Sequence, residues 1–191
     1  MNVTAEHRLE GARWQPSAHF DERPAQLTPE LIVIHCISLP EGEFGTGFPS
    51  QLFCGTLDTA CHESFADLDG VRVAPHVLID RQGSVEQFVG FDKRAWHAGV
   101  SSWRGRSGCN DYAIGIELEG CVNNAFTAAQ YDALTAVVLA LLAHYPGLSV
   151  DAIVGHNEIA PGRKADPGPG FSWSAWLCDL ARRTAPADLS V

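Results

Sequence analysis

Two histidines in this sequence interrupt apolar runs, where an imidazole is costly to bury unless it is hydrogen-bonded or bound to a metal. His35 lies inside LIVIHCI (31–37), and His156 closes AIVGH (152–156). Asp166 follows ten residues after His156. Together the three would offer two neutral nitrogens and one anionic oxygen, and catalytic zinc sites take three protein ligands of these kinds and leave a position open. No HExxH spacing and no CxxC pair gathers ligands along the chain, so the fold must assemble the set. Of the eight histidines, His7 and His19 lie in the N-terminal stretch and His144 at a helix end, where a cation suits the helix dipole. These three are read as inert.

A catalytic metal site also needs a group that moves protons. AIGIELEG (113–120) carries Glu117 and Glu119 two residues apart. On a strand they share a face, so alternation alone does not choose between them. Lys164, two residues before Asp166, is either a fixed cation for developing negative charge or a solvated loop lysine. In WHAG (96–99), Trp96 offers an aromatic face to a substrate or an anchor for its loop. Arg72 is an isolated cation at the end of a long connection, available to a ligand or to solvent.

These residues need elements to hold them. LIVIHCI reads as a buried strand, being apolar and β-branched. PHVLID (75–80) and SVEQFV (84–89), joined by RQG, read as a hairpin with Gly83 at the turn. Residues 127–145 read as a helix: Thr127 and Gln130 form a capping box, Tyr131, Leu134, Val138, Leu141 and Tyr145 recur at helical spacing, and Pro146-Gly147 ends it. Residues 172–183 read as a second amphipathic helix with Trp173, Trp176, Leu177 and Leu180 inward. Residues 38–74 form a long connection with a short helix around Asp58–Phe65, more in keeping with a functional loop than with filler. Residues 1–28, broken by prolines, read as an N-terminal tail and lead-in, and 184–191 as a C-terminal tail. Strands mixed irregularly with helices predict an α/β mixed (α+β) fold, one domain over residues 1–191.

Composition limits the partners. The formal net charge of -10 leaves no basic footprint for nucleic acid. The longest apolar run, AVVLALLA (136–143), is far short of the roughly 20 residues that cross a bilayer, so no membrane is expected. The polar N-terminus has no apolar stretch of secretory type. With that, the six cysteines are expected as reduced thiols and the protein as cytoplasmic.

The segment GHNEIAPGRKADPGPGF (155–171) closely resembles the cytoplasmic 1,6-anhydro-N-acetylmuramoyl-L-alanine amidases of the AmpD type, in which GH is followed by IAPGRK and DPGP. VIHCISLP (33–40) and WHAGVSSWRGRSGCNDYAIGIELEG (96–120) extend the resemblance, in weaker form from about Trp14 to about Trp176. It implies a central, mainly antiparallel mixed sheet flanked by helices, the amidase and peptidoglycan-recognition fold. It implies Zn2+ held by His35, His156 and Asp166, with Glu117 and Lys164 acting on the reaction and Arg72 and Trp96 shaping the substrate site. The implied activity is cleavage of the amide between anhydro-N-acetylmuramic acid and L-alanine in recycled muropeptides; separately, a monomer is expected. The alternatives are a muropeptide-binding module without catalysis and an amidase of intact peptidoglycan. Two positions depart from the pattern: Cys36 stands where relatives commonly have Asn, and Gly108 where they commonly have Arg, with Arg106 nearby as a replacement cation.

Overall fold

The computed structural model describes residues 1–25 and 27–184. Among the described residues, ten strands run in chain order: β1 (Arg13–Trp14), β2 (Phe20–Glu22), β3 (Leu31–Ile37), β4 (Val77–Ile79), β5 (Val85–Gln87), β6 (Lys93–Ala95), β7 (Ser102–Trp103), β8 (Arg106–Ser107), β9 (Ala113–Glu119) and β10 (Ile153–Gly155). The same residues form four α-helices, α1 (Phe48–Cys54), α2 (Ala128–His144), α3 (His156–Ile159) and α4 (Trp173–Thr184). Six strands make the central sheet in the order β1-β5-β4-β9-β3-β10.

The sheet is mixed, as expected, but not mainly antiparallel: only β4 and β5 pair antiparallel, while β1–β5, β4–β9, β9–β3 and β3–β10 are parallel. The reason lies in the strands themselves. β3 and β9 are almost continuously buried, the pattern of strands covered on both faces, and such strands are joined by crossovers. α2 supplies the crossover from β9 towards β10. Its capping box forms as read, Thr127 accepting from the Gln130 amide and Gln130 reaching back to the Thr127 amide. One face of the sheet, with Ile32, Ile34, Ile114, Ile116, Val77 and Ile79, packs against Leu134, Val138 and Leu141 of α2 and Trp176 and Leu180 of α4. The other face carries His35 and Glu117.

The first 28 residues are not a tail. β1 forms the sheet edge, β2 pairs with β6, and Leu9 is buried. Arg23 is buried too, and its guanidinium donates to the carbonyls of Phe91, Asn110, Asp111 and Ala113. Burial lowers its pKa only to about 10, so it stays charged and pins this segment beneath the site. The 38–74 connection holds α1 and two short 3-10 turns, at Thr59–Cys61 and Glu63–Leu68. Thr184 closes α4, and the remainder of the expected C-terminal tail, 185–191, lies outside the described residues.

Candidate active site

Three elements bring the expected ligands together. His35 lies on β3, in register with Glu117 on β9. His156 opens α3 directly after β10, the strand next to β3. Asp166 comes from the following loop, which the Asn157 amide holds by donating to the Asp166 carbonyl at 2.9 Å. His35 Nδ1 is 2.9 Å from His156 Nδ1, and Asp166 Oδ2 lies 3.1 Å and 3.0 Å from them.

The orientation of these atoms suits a cation. His156 Nε2 faces the Ala98 carbonyl at 3.1 Å, and the nearby Arg163 Nη2 donates its protons to the Ala98 and Val100 carbonyls; a carbonyl only accepts, so the proton of a neutral His156 ring sits on Nε2 and Nδ1 is bare. A lone pair thus points at a carboxylate oxygen, an arrangement that needs positive charge between them. Tetrahedral zinc, with bonds of about 2.0–2.1 Å, sets its ligands about 3.3 Å apart, so the three donors fit with a small outward movement. Burial pushes the His35 pKa down to about 4 against the pull of the adjacent Asp166 carboxylate. Burial alone would raise the Asp166 carboxyl, but the two imidazoles in contact with it, His156 and His35, outweigh burial and hold it well below the carboxylate range. A neutral His35 imidazole and an ionised Asp166 carboxylate are the protonation states ligation requires.

The structure separates the two glutamates. Glu117 lines the cleft, and its Oε2 is buried with no hydrogen-bond partner among the described residues. Burial, reinforced by the Asp166 charge and opposed by Lys164, raises its carboxyl well above the ordinary range. Glu119 shares the face but stands at the strand end, where Oε1 accepts from the Gly45 amide at 2.6 Å and Oε2 from the Arg81 amide at 3.3 Å. It braces loops.

The cleft holds about 220 Å3, with Lys164 at its exposed rim and Trp96, Leu52, Phe53 and Ala74 among its walls. An adjoining cavity of about 380 Å3 shares Cys36 and Ile37 and continues past Glu41, Ser64 and Cys121. A separate groove of about 250 Å3 between α2 and α4 contains none of the ligand or proton-transfer groups. Trp96 stacks on His19, which is therefore not an inert tail residue, and donates from Nε1 to Asp21 at 2.7 Å. Arg72 lines a neighbouring pocket with His19, Leu57 and Asp69 and not the cleft itself. Arg106 is occupied by Glu30 at 2.9 Å and by the Tyr112 ring, and Gly108 caps the 3-10 turn at Cys109–Asp111 with φ 73°. Neither lines the cleft or the adjoining cavity. His97 and Asn110, given no role from sequence, lie immediately behind the histidines, and the only signal for them was their place in the matching WHAG and CND segments.

The family described as N-acetylmuramoyl-L-alanine amidase matches residues 25–169. The chain is 51% identical over 176 residues to the 1,6-anhydro-N-acetylmuramyl-L-alanine amidase AmpD of Escherichia coli (strain K12), covering 92% of this chain and 96% of that one. A crystal structure of a selenomethionine AmpD derivative superposes with a TM-score of 0.90 at 50% identity, over 94% of this chain and 99% of that one. The crystal structure of AmpDh3 from Pseudomonas aeruginosa in complex with anhydromuramic pentapeptide matches with a TM-score of 0.59 at 26% identity, over 83% of this chain and 62% of that one.

Proposed function

The chain belongs to the N-acetylmuramoyl-L-alanine amidase family, and from that premise we propose that it is a zinc-dependent enzyme of cytoplasmic cell-wall recycling. It is a hydrolase. Its substrate is a small muropeptide, cut at the amide between 1,6-anhydro-N-acetylmuramic acid and the L-alanine of the stem peptide. The observation that carries this reading is the convergence of His35 Nδ1, His156 Nδ1 and Asp166 Oδ2 beside the unpartnered Glu117 carboxyl in one cleft. The bound anhydromuramic pentapeptide of AmpDh3 supports the substrate class. Six free thiols, of which Cys36 and Cys121 line the same cavity, suit a reducing compartment. All donors and both charged groups come from one polypeptide, so a monomer suffices.

Amide hydrolysis is slow because water is a weak nucleophile and the tetrahedral state concentrates charge on one oxygen. His35, His156 and Asp166 would hold zinc, which when bound would supply a lowered pKa for water and polarisation of the carbonyl. Glu117 accepts the proton of the attacking water and delivers it to the leaving nitrogen; its burial raises its proton affinity, as a group that must both take up and release a proton requires. Lys164 sets a positive charge at the rim, where it stabilises negative charge developing on the carbonyl oxygen. Trp96, half-buried and fixed by Asp21 and His19, offers a rigid aromatic wall to the sugar or first peptide residue.

Incubating the zinc-loaded protein with anhydromuropeptide and resolving the products by mass spectrometry tests the reading. Free anhydromuramic acid and free stem peptide are expected, with intact peptidoglycan sacculi cut far more slowly. Uncleaved anhydromuropeptide, or preferential release of peptide from sacculi, overturns it.

A further inference from the structure

The two candidate ligand histidines share one support. His97 Nδ1 lies 3.0 Å from His35 Nε2, and the Ala98 carbonyl lies 3.1 Å from His156 Nε2. Two consecutive residues thus serve the outward-facing nitrogens of both rings. Their backbone is held in turn by one side chain: Asn110 Oδ1, in a residue 7% exposed, accepts from the His97 amide at 3.2 Å and the Ala98 amide at 2.8 Å. Arg163 also donates to the Ala98 carbonyl, at 2.6 Å, fixing its direction.

The proton inventory gives this arrangement a function. A neutral imidazole bears one N–H, and whichever nitrogen keeps it cannot ligate a metal. Ala98 O can only accept, and the two protons of Arg163 Nη2, 3.4 Å from His156 Nε2, are taken by the Ala98 and Val100 carbonyls at 2.6 Å and 2.7 Å, so His156 is protonated at Nε2. For His35 to present Nδ1 to the same point, its proton must also sit on Nε2, which makes His97 Nδ1 the acceptor. The proton of His97 is then on Nε2, and that atom is buried with no partner among the described residues. An unpaired buried N–H is a free-energy cost, here accepted in a position that leaves Nδ1 bare for His35. β9 makes room for the ring: a Cβ on Gly115 would run into the His97 ring atoms, so glycine lets the imidazole lie directly on the strand.

We infer that His97 and Asn110 are positioning residues that lock His35 and His156 into the Nε2–H tautomer, with both Nδ1 lone pairs directed at the metal position. The inference rests on the zinc reading proposed above and assigns work to His97 and Asn110, which that reading leaves unused. Loss of such an outer partner typically weakens metal binding about 10- to 100-fold. His97→Phe keeps the ring and removes the acceptor. His97→Asn keeps an acceptor oxygen near the place of Nδ1.

Zinc dissociation constants, measured by competition with a chromophoric chelator, separate the possibilities. Affinity is expected to fall about 10- to 100-fold in His97→Phe and to stay close to wild type in His97→Asn. Equal affinity in wild type and His97→Phe overturns the inference, and so does an equal loss in both variants, which would show that an acceptor at this place does not restore binding. Imidazole 15N–1H correlations of the zinc-loaded wild type give an independent test that needs no variant to fold: His35 and His156 must both carry the proton on Nε2 and His97 must be bare at Nδ1. A His35 protonated on Nδ1 contradicts the lock. A wild type that takes up no zinc would overturn the metal reading and the lock with it, whereas zinc bound by the wild type with the wrong tautomers removes the lock alone.

Discussion

Replacing Glu117 with Gln removes an ionisable oxygen while keeping the volume of the cleft and all three donors. Its magnitude follows from the absence of a stand-in. Asp166 is committed to His35 and His156, and Glu119 to the Gly45 and Arg81 amides, so neither carboxylate can take over the proton transfer. Loss of a positioned base costs about 10²–10⁴-fold, equivalent to about 2.7–5.4 kcal/mol of barrier, and the upper half is expected here. Stability should move the other way. The folded chain raises the Glu117 pKa above its ordinary 4.5, so this group favours folding below pH 4.5 and opposes it as pH rises through the folded value. At pH 7 the metal-free Glu117→Gln protein should therefore melt above the metal-free wild type. The assay pairs single-turnover release of stem peptide, followed by mass spectrometry, with metal content and thermal melts. Unchanged turnover in Glu117→Gln, or an equal loss in Glu119→Gln, refutes the assignment.

Asp166→Ala removes the anionic donor, so zinc retention and turnover should fall together, by more than the roughly 10- to 100-fold typical of an outer partner; metal content after gel filtration checks it. Trp96→Ala should raise KM by about 2- to 10-fold with a smaller change in kcat, as expected for a lost aromatic contact. Arg72→Ala, in the neighbouring pocket, should change KM less, and the reverse ranking in steady-state kinetics would move the substrate towards that pocket. Burial, reinforced by the Arg23 charge, pushes the His76 pKa down to about 3, so the folded chain keeps this ring neutral while the unfolded chain protonates it. Its contribution is therefore present above pH 6.5 and is lost as pH falls from 6.5 towards 3, by a few kcal/mol in order of magnitude. Urea midpoints across that range should fall less steeply in His76→Asn, and an unchanged slope would show that His76 does not carry the effect.

What could be read from the chain depended on how local the cause was. β3 and β9 were legible because seven consecutive residues each carry the pattern of a buried strand, and α2 because its cap and apolar stripe lie within one segment. The placement of His35 and His156 followed from the same logic, an imidazole inside an apolar run. The choice of Glu117 over Glu119 was not available from alternation, since what occupies Glu119 is the backbone of Gly45 and Arg81, distant in sequence. The same holds for Arg23, whose acceptors are all carbonyls of residues 91–113. β1, β2, β7 and β8, at two or three residues each, are too short to show a period. α1 did announce itself, with Pro49 in its first turn and Gly55 just past its end, a signal hidden by the glycine-rich sequence around it. The mainly antiparallel sheet came with the family resemblance; the strand pattern itself showed one antiparallel hairpin, β4–β5, while the parallel pairs join strands far apart in sequence and leave no local signal.

The most direct test of the account is a zinc titration of chelator-stripped protein, with anhydromuropeptide cleavage measured at each addition. With His35, His156 and Asp166 as the metal ligands, stripped protein should be inactive, activity should rise linearly to a break at one zinc per chain, and Asp166→Ala should show no such break. Full cleavage by the stripped protein, or an undiminished break in Asp166→Ala, would contradict it.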